Sequence, residues 1–385
     1  MKKILYVTTV SRTINAFLIP HIEMLIENKY EVNCACYIDR EIDKRLIKKG
    51  LKIYNIPFSR NPLSLDNLKA FNELIKIQEE NQYDMIHVHT PIASIYGRLL
   101  KLKFKNLKTI YTAHGYHFLK NGPKMGWILY YPIEKLMAKL TDVTININKE
   151  DFEITKKKLK PKKAYLINGV GLNINEYSLL SEGERNKKRR VLGLKDDDFV
   201  VIMIAELNGN KNQMQLVRAI ELLKNKYQNI KCLIVGEGKK LQFLKKEVKK
   251  RSLEKNIVFL GFRKDVNELI NASDIGVLFS YREGLPRNLM EIMANGKRIV
   301  ATNIRGNRDI VCNKFIGTLV EVNDYEATAK AIEKFYLTSA NKNKILKEVE
   351  SYSILNILTE LSSIYDSLQE GGNYNEKMSS YITNE

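Results

Sequence analysis

Short β-branched runs alternate with longer amphipathic segments along the chain. In the first half, residues 3–9, 31–38, 51–57, 84–89, 108–113, 142–147 and 163–168 read as strands. Between them apolar positions recur at helical spacing. Residues 15–28 place Phe17, Leu18, His21, Leu25 and Ile26 on one face, and residues 64–81 open on a serine and repeat Leu65, Leu68, Phe71 and Ile75. The second half restarts the pattern, with strands at 199–207, 230–235, 257–260, 275–279, 298–301 and 317–320 and helices at 213–227, 239–251 and 325–337. Near-continuous apolar strands are those buried on both faces, which predicts parallel sheets covered by helices on each side.

Two such sets of similar size predict an α/β protein of two Rossmann-like domains. A single barrel would need an unbroken alternation, and the Gly-rich, basic stretch from Gly169 to Lys195 interrupts it. The expected layout is a domain at 1–170, a linker at 171–195, a second domain at 196–345, a helical segment at 346–370 packing back on the first domain, and a polar tail at 371–385. The length of 385 residues suits two cores. An apolar fraction of 44% with 28% charged residues excludes a fibrous or disordered chain. Cys34, Cys36, Cys232 and Cys312 are too scattered for a disulfide scaffold or a zinc site, so a reducing, cytoplasmic setting is expected. The opening residues are too short an apolar stretch for a signal peptide, and no run of apolar residues is long enough to span a bilayer.

The charge of +19, from 63 basic and 44 acidic residues, favours anionic partners without choosing among nucleic acid, phosphorylated metabolites and an acidic membrane face. A solvated basic surface explains it equally. Nucleic-acid binding through the basic stretch 185–190 or the helix at 239–251 finds no helix-turn-helix, RNA-binding or zinc pattern to support it, and no nucleic-acid partner is expected.

In open parallel sheets ligands bind beyond the carboxyl ends of the strands. The first strand is followed by Thr9 to Thr13 and carries no GxGxxG, which argues against a nicotinamide or flavin enzyme. Arg12 there can face an anion. His87 and His89 end the fourth strand, and His114 and His117 follow the fifth. These four fit substrate hydrogen bonding better than metal ligation, because no carboxylate cluster accompanies them. His87 and His89 also read well as packed strand residues. In the second half, Lys211 and Asn212 stand in a polar loop directly ahead of a helix, a place for a phosphate clamp. Gly236 opens a tight turn that admits close backbone approach.

The most informative segment is 280–296. Arg282 and Glu283 precede a helix that starts near Pro286, Glu291 lies on its second turn, and the amides around Gly284 and Leu285 offer an anion site at the positive helix end. A carboxylate such as Glu291 accepts two bonds from a vicinal diol, as in a ribose, and Glu283 is placed for the hydroxyls of a second sugar. Most helical glutamates are simply solvated. Here both stand in an otherwise apolar segment.

Together these residues resemble the retaining glycosyltransferases of family 4, and among them the bacterial capsular and exopolysaccharide branch. The likeness spans roughly Met1 to Leu368. It rests on Glu283 and Glu291 in E-G-L-P-x4-E, on Thr112 to Phe118, on Tyr130 to Lys135, on Ile147 to Asp151, and on Glu206 to Asn208 with Lys211 to Gln213. The resemblance implies the GT-B fold, two Rossmann-like domains with parallel sheets facing each other across a cleft that closes over the donor. It implies transfer of a sugar from a nucleotide-diphosphate sugar to an acceptor hydroxyl with retention, on the same face and with no covalent intermediate. Glu291 would hold the ribose, Glu283 the transferred sugar, and Lys211 with the amides of Gly284 and Leu285 the diphosphate, without a metal or other cofactor. His114 would lie near the reacting sugar, and Arg12, His89, Tyr116 and His117 on the acceptor side.

The chain departs from the family pattern twice. Glu206 stands where many members carry an arginine, leaving Arg282, Arg287 or Arg305 to replace it, and the usual glycine pair after the first strand is absent. The implied acceptor is an undecaprenyl-diphosphate-linked saccharide. Residues 127–131 with Lys135, Lys139 and Lys156 to Lys158 would rest peripherally on an anionic membrane, unless the aromatic cluster is interdomain packing. A nucleotide-sugar 2-epimerase of the same fold is the alternative enzyme.

Overall fold

The computed structural model describes residues 1–120, 122 and 124–369. Among the described residues thirteen strands form two sheets. The first runs β1 (Lys3–Val10), β2 (Glu31–Tyr37), β3 (Lys52–Asn55), β4 (Met85–His89), β5 (Lys108–Ala113), β6 (Val143–Asn146) and β7 (Lys163–Leu166), in the spatial order β3-β2-β1-β4-β5-β6-β7. The second runs β8 (Phe199–Ile204), β9 (Ile230–Val235), β10 (Ile257–Gly261), β11 (Ile275–Leu278), β12 (Arg298–Thr302) and β13 (Gly317–Val320), in the order β10-β9-β8-β11-β12-β13. Every pairing is parallel. Each sheet is doubly wound, reversing its order between β1 and β4 and between β8 and β11.

The strands carry continuous apolar runs because both faces are covered. Val200, Val201, Ile202 and Met203 in β8 are all fully buried. Each contributes roughly 1.5–3 kcal/mol relative to exposure. In the first sheet Ile4, Leu5, Tyr6 and Val7 of β1 are buried in the same way.

The chain divides into two compact units. Among the described residues the first takes 1–147, 151–171 and 354–369, and the second takes 148–150 and 172–353; the tail expected at 371–385 lies outside the described residues. The stretch 171–195, expected to be a linker, therefore folds into the second unit. Its basic run lies on the helix Glu182–Val191, opened by a capping box between Ser181 and Glu184. Arg185 and Arg189 share one face at i, i+4. Arg185 pairs with Asp274 at 2.7 Å, while the buried Arg189 donates to the carbonyls of Ala272, Lys195 and Asp198. Lys188 pairs with Asp265 and Glu268. Arg185, Lys188 and Arg189 thus anchor this helix to the rest of the second unit.

The expected helix at 346–370 is two. Lys342–Val349 stays with the second unit, where Ile345, Val349 and Tyr352 join the core. A short 3-10 turn follows. Ser353 is extended and pairs with Leu172, whose amide donates to the Tyr352 carbonyl at 2.8 Å. Only Ile354–Gln369 returns to the first unit. There the buried Tyr365 hydroxyl meets the Tyr6 hydroxyl at 2.6 Å and His87 Nδ1 at 2.5 Å.

Tyr365→Phe leaves Tyr6 and His87 with unmatched buried polar atoms. Chemical denaturation of the variant is expected to show the first unit destabilised by about 1–3 kcal/mol.

Candidate active site

The strand reversal of the second sheet places the loops after β8 and β11 side by side, and these loops carry the predicted donor residues. Lys211 Nζ meets Glu283 Oε1 at 2.5 Å, with both side chains mostly buried. The two loops are tied by backbone as well. The Tyr281 amide donates to the Asn210 carbonyl at 2.8 Å, and Asn210 Nδ2 donates to the Arg282 carbonyl at 2.9 Å. Asn208 Oδ1 accepts the amides of Asn210 and Lys211, which shapes the turn that presents the lysine. An ammonium has three donors, so the bond to Glu283 leaves two for phosphate oxygens.

The helix after β11 spans Arg287–Ala294, with Pro286 at its N-cap and no side chain capping it. Asn288 Nδ2 donates to the Ile204 carbonyl at the end of β8, at 2.7 Å, which pins the helix start to the same switch point. Glu291 sits one turn further on. Its Oε1 accepts from the Tyr177 hydroxyl at 2.9 Å and from Arg287 Nε at 3.1 Å. Burial pushes the Glu291 carboxyl above the usual glutamate range, opposed by the Tyr177 and Arg287 contacts. Tyr177 went unread because it lies in the presumed linker, and no spacing signal ties it to Glu291.

The three arginines considered as replacements at Glu206 have different placements. Arg282 is exposed, and Arg287 is engaged with Glu291. Arg305 is buried and donates from Nε to the Glu283 carbonyl at 2.9 Å, so it alone braces the loop that carries Glu283, Gly284 and Leu285.

Two expected donor residues have structural duties. Asn212 adopts a left-handed conformation and directs Nδ2 to Gln215 and Asn323, both at 3.1 Å. Gly236 has φ +132°, and a Cβ there would stand 2.2 Å from the Ala205 carbonyl oxygen. Its glycine is explained by strand-end packing, without a ligand.

In the first unit the reversal lies between β1 and β4. Thr90, directly after β4, takes φ +65°, a strained conformation for a β-branched residue. Its hydroxyl binds the Thr9 amide at 3.0 Å and the Thr9 hydroxyl at 2.7 Å, which joins the two strand ends. Beside them lies a cavity of about 380 Å³, whose lining includes Thr9, Thr13, Arg60, Thr90, His117 and Tyr130. His117 packs on Tyr130 with tilted rings, their centroids 4.8 Å apart.

His87, His89 and His114 are not among the residues lining that cavity. His87 is a packed strand residue, its two nitrogens bonded to Tyr365 and to Thr112. His89 is also buried and meets His114 Nε2 at 3.0 Å, backing that ring and taking no place in the cavity lining. Burial, then the nearby His21, pushes the His114 imidazole down to about 4, and burial with the neighbouring imidazoles holds His89 well below its ordinary value. Both rings are neutral at pH 7, so one donates and the other accepts.

Tyr116 and Arg12 differ from expectation. The Tyr116 hydroxyl is turned into the core onto Thr155 at 2.7 Å and Asn146 at 3.3 Å, so it is not offered to an acceptor. Arg12 is exposed and paired with Asp39. Among the described residues no group of three or more His, Cys, Asp or Glu side chains could hold a metal ion, and no helix is long and apolar enough to cross a membrane.

Two doubly wound parallel sheets, each with polar loops at its strand reversal, define the GT-B architecture. The profile described as "Glycosyl transferase 4-like" matches residues 3–148, and "Glycosyl transferases group 1" matches residues 184–350. EpsD of Bacillus subtilis (strain 168), which carries a glycosyltransferase name, is 34% identical over 345 residues, 87% of each chain. The UDP-Gal:alpha-D-GlcNAc-diphosphoundecaprenol alpha-1,3-galactosyltransferase of Escherichia coli is 28% identical over 354 residues, 89% of this chain and 90% of that one. The solved structure of Anabaena HepE in complex with UDP matches the fold with a TM-score of 0.78 at 19% identity, over 95% of this chain and 100% of that one. The chain belongs to the glycosyltransferase family that these two profiles describe.

If Glu291 grips a diol as a carboxylate, UDP binding is expected to weaken on acidification through its raised pKa, earlier than for an ordinary glutamate. The sign follows because protonation removes acceptor capacity. Calorimetric titration across the mildly acidic range is expected to show this slope in the parent protein and a flat, weaker response in Glu291→Gln.

Proposed function

We propose that the protein transfers a sugar from a nucleotide-diphosphate sugar to a hydroxyl of a lipid-linked saccharide, with retention at the anomeric carbon. The observation that carries this reading is the joining of Lys211, Glu283 and Glu291 around one uncapped helix start at the β8/β11 reversal. Binding at such a crevice is what open parallel sheets offer. The E. coli relative's name specifies a UDP-sugar donor and a diphosphoundecaprenol acceptor, and HepE was solved with UDP, which supports the same substrate classes here.

In this reaction the bond between the anomeric carbon and the diphosphate oxygen breaks. A bond from the acceptor oxygen forms on the same face, and the acceptor proton passes to the departing phosphate. The difficulty is charge growing on the diphosphate. Lys211 and the amides around Gly284 and Leu285 point donors at it, a form of stabilisation worth roughly 2.7–4 kcal/mol per donor. The reaction then runs without a divalent metal. Glu283 accepts from hydroxyls of the transferred sugar and aligns Lys211, while Glu291, oriented by Tyr177 and Arg287, holds the ribose. The first unit supplies the acceptor side through the Thr9/Thr90 cavity, with His114 as a neutral hydrogen-bonding group. The protein works in the cytoplasm.

Lys211→Met is expected to lower turnover by about 10²–10³-fold. Glu283→Gln should chiefly lower turnover, whereas Glu291→Gln should chiefly weaken donor binding. Steady-state kinetics with radiolabelled UDP-sugars and undecaprenyl-diphosphate saccharides reads these effects. Wild-type behaviour of all three variants would refute the assignment. NMR of the product is expected to show the donor's anomeric configuration. Sugar epimerised without any acceptor would replace transfer by epimerisation.

A further inference from the structure

The loop after β12 is built as a rigid frame. Asn307 is buried and donates from Nδ2 to the Thr302 carbonyl at 2.9 Å and to the Thr302 hydroxyl at 3.2 Å. The Ile304 amide donates to the same carbonyl at 2.8 Å, which closes the turn. This frame holds the loop after β11 by three carbonyls. Thr302 Oγ1 donates to that of Ser280 at 2.7 Å, and the buried Arg305 donates from Nε to that of Glu283 at 2.9 Å. Gly306, at φ +77°, lies against the third. A Cβ there would stand 2.2 Å from the Gly284 oxygen and 2.8 Å from its carbon. The closer approach is to oxygen, so this carbonyl too is aimed at the frame.

In a planar trans peptide the carbonyl oxygen of one residue and the amide hydrogen of the next point in opposite directions. Among the described residues no peptide bond is cis. Holding the Glu283 carbonyl towards Arg305 therefore turns the Gly284 amide away from the frame. Seating the Gly284 carbonyl on Gly306 turns the Leu285 amide away as well. Among the described residues neither amide donates to another group of the protein, and both residues are partly exposed. Pro286 follows and has no amide hydrogen, so these two are the donors directly ahead of the helix Arg287–Ala294. The Ser280 carbonyl differs. The amide after it belongs to Tyr281 and is spent on the Asn210 carbonyl. Thr302 thus braces the loop without directing an unspent donor.

We propose that Arg305 and Gly306 are positioning residues, which aim the Gly284 and Leu285 amides at the diphosphate of the donor. This rests on the proposed function and gives the two amides a cause for their direction. Arg305 acts through its Nε–H and not through its charge, because the bond that sets the amide ends on a carbonyl oxygen. Donors aligned before the reaction are the ones that count as charge develops on the leaving group. Gly306 acts through the space it leaves. A side chain there would push the Gly284 carbonyl aside and rotate the Leu285 amide with it.

Calorimetric titration of the full chain with UDP and with uridine tests the proposal. Uridine lacks the phosphates, so the ratio of the two affinities reads the diphosphate contacts alone. Arg305→Met sets a methyl where Nε stood. It is expected to weaken UDP binding at least about tenfold and to leave uridine binding unchanged. Arg305→Gln puts an amide nitrogen at the same place along the side chain, and should recover most of the UDP affinity although the charge is gone. Thr302→Val is the matched control, expected to lower thermal stability without changing the ratio. Gly306→Ala should lower the ratio as Arg305→Met does. Parent-like UDP binding by Arg305→Met, or Arg305→Gln no better than Arg305→Met, would overturn the proposal. So would an equal fall of the ratio in Thr302→Val, since bracing alone would then explain it. Should Arg305→Met fail to fold, Gly306→Ala compared with Thr302→Val decides in the same way. Absence of UDP binding to the parent protein would instead remove the proposed donor, and this role with it.

Discussion

The ion pair between Lys211 and Glu283 spans the one place in the second sheet where successive loops diverge from neighbouring strands. Strand order reverses between β8 and β11, so no crossover helix covers the gap, and the loop backbones must satisfy one another. Asn208, Asn210 and Asn288 do this with side-chain amides, which holds the lysine, the glutamate and a helix start within one rigid frame. A mostly buried pair of this kind adds little net stability, because desolvation offsets much of the attraction. Its value lies in orientation. In the proposed reaction both groups would be positioned before a diphosphate arrives, so that reorganisation is avoided at the moment charge develops.

The first unit uses the same topology for a different purpose. Its reversal is closed by Thr9 and Thr90, with strain at Thr90, and lined by aromatic and hydroxyl groups. Basic groups there are few. His87 and His89 are buried and His114 half-buried, and desolvation lowers the pKa of each ring, so they offer hydrogen bonds without fixed charge. That division suits a transfer reaction, with cations beside the leaving diphosphate and neutral polar groups beside an acceptor hydroxyl.

The large positive charge has two fates that composition could not distinguish. Arg98, Arg185, Lys188 and Arg189 are consumed in internal contacts that fasten helices to neighbouring helices and loops. The lysines around the helix Lys124–Ala138 stay exposed beside aliphatic side chains.

All thirteen strands were legible in the sequence, because a parallel strand buried on both faces is written as a continuous apolar run. The segment 280–296 was legible for a related reason: Glu283 and Glu291 stand out from apolar neighbours around a helix start. Position within the fold was not. Arg189 reads as one more residue in a basic linker until the helix around it packs on Asp274 and the Ala272 carbonyl. The break at Ser353 depends on a backbone partner, Leu172, far away in sequence. Tyr177 meets Glu291 for the same reason, and Tyr116 turns its hydroxyl inward because Thr155 and Asn146 wait there. Local pattern encodes which segments are buried and which residues carry chemistry. Which side chains meet, and which way an amphipathic helix faces, is set by packing between segments far apart in the chain.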